Sequence, residues 1–140
     1  MRRAAIVAIA LLLALAGCRP AEGPVPIAFD RTPCAHCRMV VSDPAFAAQL
    51  QTSDGEVFDF DDPGCLLRFR EERAPEVRAL FFHHLREDRW IPGGSVAFVR
   101  AERTPMGYGL GAVEAGEPDA ISLEEAEASV RNGPQGRQSP

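Results

Sequence analysis

The stretch that decides the fold reads Cys34-Ala-His-Cys-Arg-Met-Val-Val-Ser-Asp-Pro-Ala-Phe-Ala-Ala-Gln-Leu-Gln-Thr-Ser-Asp-Gly-Glu-Val-Phe-Asp-Phe-Asp-Asp62. Residues 46–51 carry the period-two pattern of a half-buried β-strand. A turn at Ser53-Asp54-Gly55 leads into a second strand over residues 57–60. The stretch therefore predicts a turn that bears two thiols and a thioether, followed directly by a β-hairpin.

The residues after the hairpin predict a helix and a third strand. Asp62 followed by Pro63 is an N-cap with proline at the first helical position, so a helix should run from Gly64 to about Arg73 and stop at Pro75. Residues 77–83 then have the composition of a strand. The first half of the domain is therefore predicted to be ββαβ.

The second half should begin after Gly93-Gly94 and repeat a similar plan. A strand is predicted over residues 96–100, and a weaker hairpin should join residues 110–113 to residues 120–121. The capping box Ser122-Leu-Glu-Glu125 predicts a helix that ends at Asn132-Gly133. Each half then contains, in order, a methionine, a hairpin and a helix, which indicates a degenerate internal duplication. The predicted fold is α+β, with two small ββαβ-type halves built as tandem hairpin-plus-helix units.

The N-terminus has the features of a bacterial lipoprotein precursor. Two arginines precede a short apolar run that ends in Leu-Ala-Gly-Cys18, and the run is shorter than the ~20 residues of a bilayer span. We expect Cys18 to be acylated after cleavage. The predicted divisions are a signal peptide (1–17), a proline-rich tether (18–33), the two halves (34–92 and 93–133) and a disordered tail (134–140).

Composition argues against two classes of partner but does not decide the chemical state of the thiols. The chain has 15 basic and 20 acidic residues, and its formal net charge of −5 argues against a binding surface for nucleic acid or anionic lipid headgroups. With Cys18 acylated, three cysteines remain in an oxidising compartment. At least one thiol should therefore stay free, bind metal or pair between molecules.

Soft metal binding is the chemistry that the remaining sulfur atoms favour. Thiolates and thioethers select Cu(I), zinc or iron–sulfur clusters. Apart from Cys65, the soft side chains of the mature domain lie in two motifs, which supply Cys34, Cys37, Met39 and Met106. No second Cys-x-x-Cys is present to complete a zinc site. The predicted metal is Cu(I), held by thiolate from the cysteine pair and thioether from Met39 or Met106, while a redox dithiol and a zinc site stay open as alternatives.

Other candidate side chains have plainer interpretations. Cys65 lies in the first turn of the predicted helix among leucines, which favours a buried structural thiol. His36 and His83 are possible metal ligands, although a solvent-facing side chain is the commoner outcome for His36. A surface or rim position is favoured for His83 and His84, which should point to opposite faces of a strand. No set of nucleophile, base and oxyanion donor is visible, so we do not expect an enzyme.

Five ordered motifs resemble the NosL family of lipoprotein copper chaperones, which accompany nitrous-oxide reductase. They are Cys-x-x-Cys-x-Met, Phe-Ala-Ala-Gln, Asp-Gly-x-x-x-x-Phe-Asp-Asp, Trp90-Ile91 and Thr-Pro-Met-Gly-x-Gly, and the match covers roughly residues 18–131. The chain departs from the family at His83-His84, where relatives often carry an acidic residue.

The resemblance implies two small ββαβ units and the delivery of Cu(I) to the copper sites of nitrous-oxide reductase, through docking on a membrane maturation complex. Together with the residues, it predicts a monomeric, non-enzymatic Cu(I) carrier. We expect it to be lipid-anchored facing the periplasm, on the outer rather than the inner membrane. The alternatives are a periplasmic thiol-disulfide oxidoreductase and another soft-metal-binding lipoprotein.

Overall fold

The computed structural model describes residues 22–133. The predicted signal peptide, the acylation of Cys18 and the predicted disordered tail lie outside these residues. Across the described range, no helix is long and apolar enough to cross a membrane.

The first sheet has four antiparallel strands. The strands are β1 (Ala48–Thr52), β2 (Val57–Phe60), β3 (Val77–His83) and β4 (Trp90–Pro92), in the order β2-β1-β3-β4. Ala48 lies opposite both Phe60 and Phe82, so the carboxyl ends of β2 and β3 meet the start of β1 at one end of the sheet.

Helix α1 (Pro63–Arg73) follows β2 and begins as its sequence predicts. Asp62 is the N-cap and accepts the backbone N–H of Gly64 at 2.8 Å, and Pro63 stands at the first helical position. The helix ends at Ala74, which adopts the left-handed conformation with φ 44° and ψ 48°.

The second sheet has three strands, and one predicted pairing in it is wrong. Its strands are β5 (Val96–Arg100), β6 (Leu110–Glu114) and β7 (Ile121–Ser122), in the order β6-β5-β7, and α2 (Leu123–Asn132) follows with the predicted capping box. β6 pairs with β5 and not with β7, which takes the other side of β5. The apolar strand β5 is buried over Val96, Ala97 and Phe98, so its backbone needs partners on both edges. The turn signal over residues 116–119 could not reveal this.

The corrected pairing also changes the relation between the two methionines. Met39 precedes the first strand of its sheet, whereas Met106 lies in the loop between the paired strands β5 and β6. The two residues therefore do not occupy matching places. The fold class is nevertheless confirmed, because the domain consists of two small antiparallel sheets and two helices in an α+β arrangement.

One hydrophobic core joins the two sheets. The rings of Phe82 on β3 and Phe98 on β5 meet edge to face at 5.2 Å between centroids. The helices also contact each other, with Arg70 and Glu71 of α1 paired to Glu127 and Arg131 of α2. The two halves are thus joined by a common core and by ion pairs between their helices.

The end of the predicted tether is packed on the first sheet. Val25 exchanges hydrogen bonds with the side chain of Gln49, at 2.8 and 2.9 Å. Ile27 and Phe29 pack against the core. This differs from the expected free tether, because two buried glutamine side chains on β1 supply hydrogen bonds that the proline-rich composition does not reveal.

Candidate metal centre

A tight hairpin presents the first two cysteines. Its ends are joined by a bridge between Pro33 and Val40. The backbone N–H of Cys34 donates to the carbonyl of Met39 at 2.7 Å, and the N–H of Arg38 donates to the carbonyl of Cys34 at 3.1 Å. Arg38, at the turn, has a backbone φ of 70°, which is uncommon for a residue other than glycine. The hairpin therefore holds both thiols in a fixed turn.

The outer edge of β2 fixes this hairpin to the sheet. The N–H of Ala35 donates to the carbonyl of Asp59 at 2.9 Å. Two residues further along, the backbone N–H of Asp61 donates to the sulfur of Cys34. Residues 59 and 61 point to the same edge because backbone groups alternate along a strand. The cysteine hairpin is thus attached to the end of β2.

The start of α1 brings a third thiol to the same place. The ligand atoms of Cys34, Cys37, Asp61 and Cys65 all lie within 4.8 Å of one another. Cys65 reaches the group because α1 begins immediately after β2, and its first turn faces the cysteine hairpin. Cys34 and Cys65 are fully buried, while Cys37 is half-buried. We call these four residues the thiol cluster.

Hydrogen bonds make Cys34 the ionised member of the cluster. The S–H of Cys65 and the backbone N–H groups of Asp61, Cys37 and His36 all donate to its sulfur, and they lower the pKa of Cys34 from 9.0 to about 6 against the opposing effect of burial. A sulfur surrounded by donors is a thiolate at neutral pH.

The other two thiols keep their protons. Burial is the main cause that raises the pKa of Cys37 to about 12, and its S–H donates to the carboxylate of Asp61 at 3.2 Å. The pKa of Cys65 is also raised, because its S–H is donated to Cys34 and because the residue is buried. The cluster therefore holds one thiolate, two thiols and one carboxylate.

This donor set suits a soft metal ion. Three sulfurs can surround Cu(I), which prefers thiolate and thioether ligands. The same three sulfurs with the Asp61 oxygen make the four donors of a tetrahedral zinc site. The sequence motifs alone offer no complete set of zinc ligands, whereas the thiol cluster supplies four donors.

The loop between β5 and β6 brings Met106 to the start of α1. Its backbone N–H donates to the second carboxylate oxygen of Asp62 at 2.9 Å, so one buried aspartate caps the helix and holds the loop. Gly107 and Gly109 both have φ 74°, a left-handed conformation that glycine adopts at little cost. Tyr108 packs so closely on Gly64 that a Cβ there would lie 2.0 Å from the ring.

The two methionines occupy different environments. Met106 is half-buried and packs against the core. Met39 is 60% exposed, directly after the cysteine turn. Met106 therefore belongs to the packed contact between its loop and the start of α1, while most of Met39 faces solvent.

The candidate histidines lie outside the four-donor group. His36 faces Glu72 of α1, with 3.6 Å between Nδ1 and the carboxylate. His83 approaches Asp88 at 3.2 Å and meets Trp90 edge to face. The expectation of surface positions is wrong for His83 and His84, which are only 7% and 3% exposed. The turn after β3 folds back over them, and the backbone N–H groups of residues 86 and 87 donate to His84.

Sequence reasoning did not include Cys65 and Asp61 in the site. The expectation that Cys65 is buried is confirmed, but its sulfur also belongs to the thiol cluster. A signal was available in the short run from Asp61 to Cys65, because a residue at the end of a strand and one in the first turn of the next helix lie close together.

Comparison with known proteins supports the fold. The structure is similar to that of the copper chaperone NosL from Shewanella denitrificans, with a TM-score of 0.56 and 19% sequence identity over 79% of this chain and 88% of that chain. No model of a known protein family matches the chain, and no curated protein does. The domain therefore has a NosL-like fold, in agreement with the resemblance of its motifs.

Proposed function

We propose that this protein is a Cu(I) carrier that holds the ion in the thiol cluster. The observation that carries the proposal is the convergence of three sulfurs from the cysteine hairpin and α1 within 4.8 Å of one another. Cys34, Cys37 and Cys65 are the principal ligands. The thioethers of Met39 and Met106 complete or exchange with this set.

We infer a path for the ion from the burial of its proposed ligand residues. Met39 is exposed, Cys37 is half-buried, and Cys34 and Cys65 are fully buried. Copper arriving from solvent meets the Met39 thioether first, then Cys37, and then the buried pair. Each step replaces one soft donor by another, so the ion need not be released into water. The reverse order delivers it to an acceptor.

Proton chemistry favours capture at neutral pH. Cys34 is already ionised, so it attracts a cation without first losing a proton. Cys37 and Cys65 must give up their protons when they bind. Copper binding by all three thiols therefore releases two protons, whereas binding by Cys34 and the two thioethers releases none.

The burial of the thiolate argues against thiol-disulfide exchange as the main function. Cys34, the ionised thiol, is 0% exposed, so a partner disulfide cannot reach its sulfur. Cys37 is accessible, but its raised pKa makes it a weak nucleophile.

The proposed location and client rest on the sequence motifs alone. We propose that Cys18 is acylated and holds the protein on a membrane facing the periplasm. The proposed clients are nitrous-oxide reductase and its membrane maturation complex, and the carrier acts as a monomer. Deletion of the gene should leave nitrous-oxide reductase deficient in copper, and unchanged copper content would exclude this client.

Competition titrations against a Cu(I) chelator under anaerobic conditions test the ligand set. The variants Cys34→Ser, Cys37→Ser and Cys65→Ser should each lower the Cu(I) affinity at least about tenfold, since a lost thiolate removes more than ~1.4 kcal/mol. Val41→Ala is the matched control, because Val41 is fully buried in the same core cluster but carries no donor. Its stability should fall while its affinity stays unchanged.

The methionines are tested separately. Met39→Leu should slow copper transfer to a chelator more than it lowers affinity, since the exposed thioether lies at the entrance of the path. Met106→Leu should lower the affinity if the second half supplies a ligand. Undiminished affinity in all three serine variants would overturn the proposal.

A further inference from the structure

A glutamine clamp fixes the chain just before the cysteine hairpin. The side chain of Gln49 bonds both backbone groups of Val25, and Gln51 Nε2 donates to the carbonyl of Gly23 at 2.9 Å. Gln51 Nε2 also donates to Gln49 Oε1 at 2.9 Å, and both side chains are at most 1% exposed. These bonds hold residues 23–29 on the first sheet.

The clamped segment crosses the sheet from one end to the other. Gly23 lies beside Gln51 near the turn end, which we define as residues 53–55 and the adjoining Glu76. The segment then passes Gln49 and leads to the thiol end, defined as the thiol cluster. At about 3.3 Å per residue, β1 places these ends ~13 Å apart or more.

The clamp shortens the chain available between the domain and a lipid anchor. This step depends on the acylation of Cys18 that the proposed function includes. At no more than ~3.6 Å per residue, the chain from Cys18 to Gly23 spans at most ~18 Å. If the segment were released as far as Cys34, the same estimate gives ~58 Å. With residues 23–29 held on the sheet, the domain can therefore rotate much less freely above the bilayer.

We propose that the turn end of the first sheet faces the phospholipid bilayer and that the thiol end points away from it. The clamp by Gln49 and Gln51 sets this orientation, because the anchored chain joins the fold at the turn end. The copper site is thereby presented to partners on the side opposite the membrane.

Surface charge by itself selects neither end. The turn end carries the exposed Asp54 and Glu76, but Arg78, which donates to Gln51, is exposed there too. Beside the cysteine hairpin, Arg31 and Arg38 are exposed and form no ion pair with any residue between 22 and 133, but Asp30 and Asp43 are exposed nearby. The orientation set by the clamp should therefore not depend on the phosphatidylglycerol content of the bilayer.

Fluorescence quenching on vesicles tests the orientation with the acylated full chain. Trp90, the only tryptophan, is replaced by phenylalanine, and one reporter is introduced as Ser53→Trp at the turn end or Ser42→Trp near the thiol end, both exposed positions. The vesicles contain phosphatidylcholine carrying a headgroup nitroxide, with or without phosphatidylglycerol. The reporter at position 53 should be quenched at least twice as strongly as the one at position 42, in both lipid mixtures.

A longer linker between Cys18 and Gly23 provides the control. Ten Gly/Ser residues inserted between Pro20 and Ala21 add up to ~36 Å of chain without touching the folded domain. This insertion should abolish the difference between the reporters. Three results would overturn the proposed orientation. They are equal quenching of the two reporters with the native linker, stronger quenching at position 42, and a difference between the reporters that survives the insertion. Mass spectrometry of the N-terminal peptide tests the anchor by itself, and an unacylated Cys18 would refute both anchor and orientation while leaving copper binding unaffected.

Discussion

Replacement of Cys65 by alanine should raise the pKa of Cys34 in the metal-free protein. The Cys65 S–H is the largest cause of the low Cys34 pKa of about 6, and alanine removes that donor. A hydrogen bond to a charged group contributes about 1.5–3 kcal/mol, and one pKa unit corresponds to about 1.4 kcal/mol, so the Cys34 pKa should rise to roughly 7–8. The backbone N–H donors remain and keep it below the ordinary value.

Cysteine labelled with ¹³C at Cβ allows the titration of each thiol to be followed by NMR under reducing, metal-free conditions. Cys65→Ser is the matched control, because a serine hydroxyl of similar size still donates a hydrogen bond. The serine variant should keep the Cys34 pKa near its native value although it loses a copper ligand. The alanine and serine variants therefore separate the electrostatic role of Cys65 from its role as a metal donor.

Two results would refute this reasoning. A Cys34 pKa near 8.5 in the unmodified protein would mean that the donors do not converge on its sulfur. An unchanged Cys34 pKa in the alanine variant would mean that the Cys65 S–H points elsewhere. Either result would remove the argument that the apo-site is a preformed thiolate.

Four further outcomes are expected. Asp61→Asn should lower the Zn²⁺ affinity about tenfold or more but leave the Cu(I) affinity nearly unchanged, as measured with metal-specific chelators, and equal losses would contradict the assigned donor roles. Ala74→Gly should raise the free energy of unfolding in urea by about 0.5–1 kcal/mol, because glycine relieves the left-handed backbone at the end of α1. Gly64→Ala should lower it by about 1–3 kcal/mol and shift the NMR signals of Tyr108, whose ring occupies the space of the new Cβ. The free energy of unfolding of the metal-free protein should increase between about pH 6 and 9 by up to ~1.4 kcal/mol per pH unit. The folded state lowers the pKa of Cys34, so this contribution to stability is complete above the pKa of the unfolded chain and is lost as the pH falls through the pKa of the folded protein. A free energy of unfolding that does not change over this pH range would argue against it.

Local patterns accounted for much of the first sheet. The turn at residues 53–55 and the cap at Asp62-Pro63 act over a few neighbouring residues, so their chemistry can be recognised without the fold. The capping box at Ser122 is confirmed for the same reason, with both reciprocal hydrogen bonds present. The motifs also led to the NosL-like fold through their order in the chain.

The sequence by itself determined which atoms could bind a soft metal and where helices and turns begin, because those properties reside in side-chain chemistry and in short-range backbone preferences. Only the tertiary structure decided that Cys65 joins Cys34, that β7 pairs with β5, and that Gln49 holds the chain at Val25. Each of these contacts joins residues separated by more than twenty positions. Such contacts depend on which apolar faces pack together and which buried polar groups need partners, and the whole core sets both together.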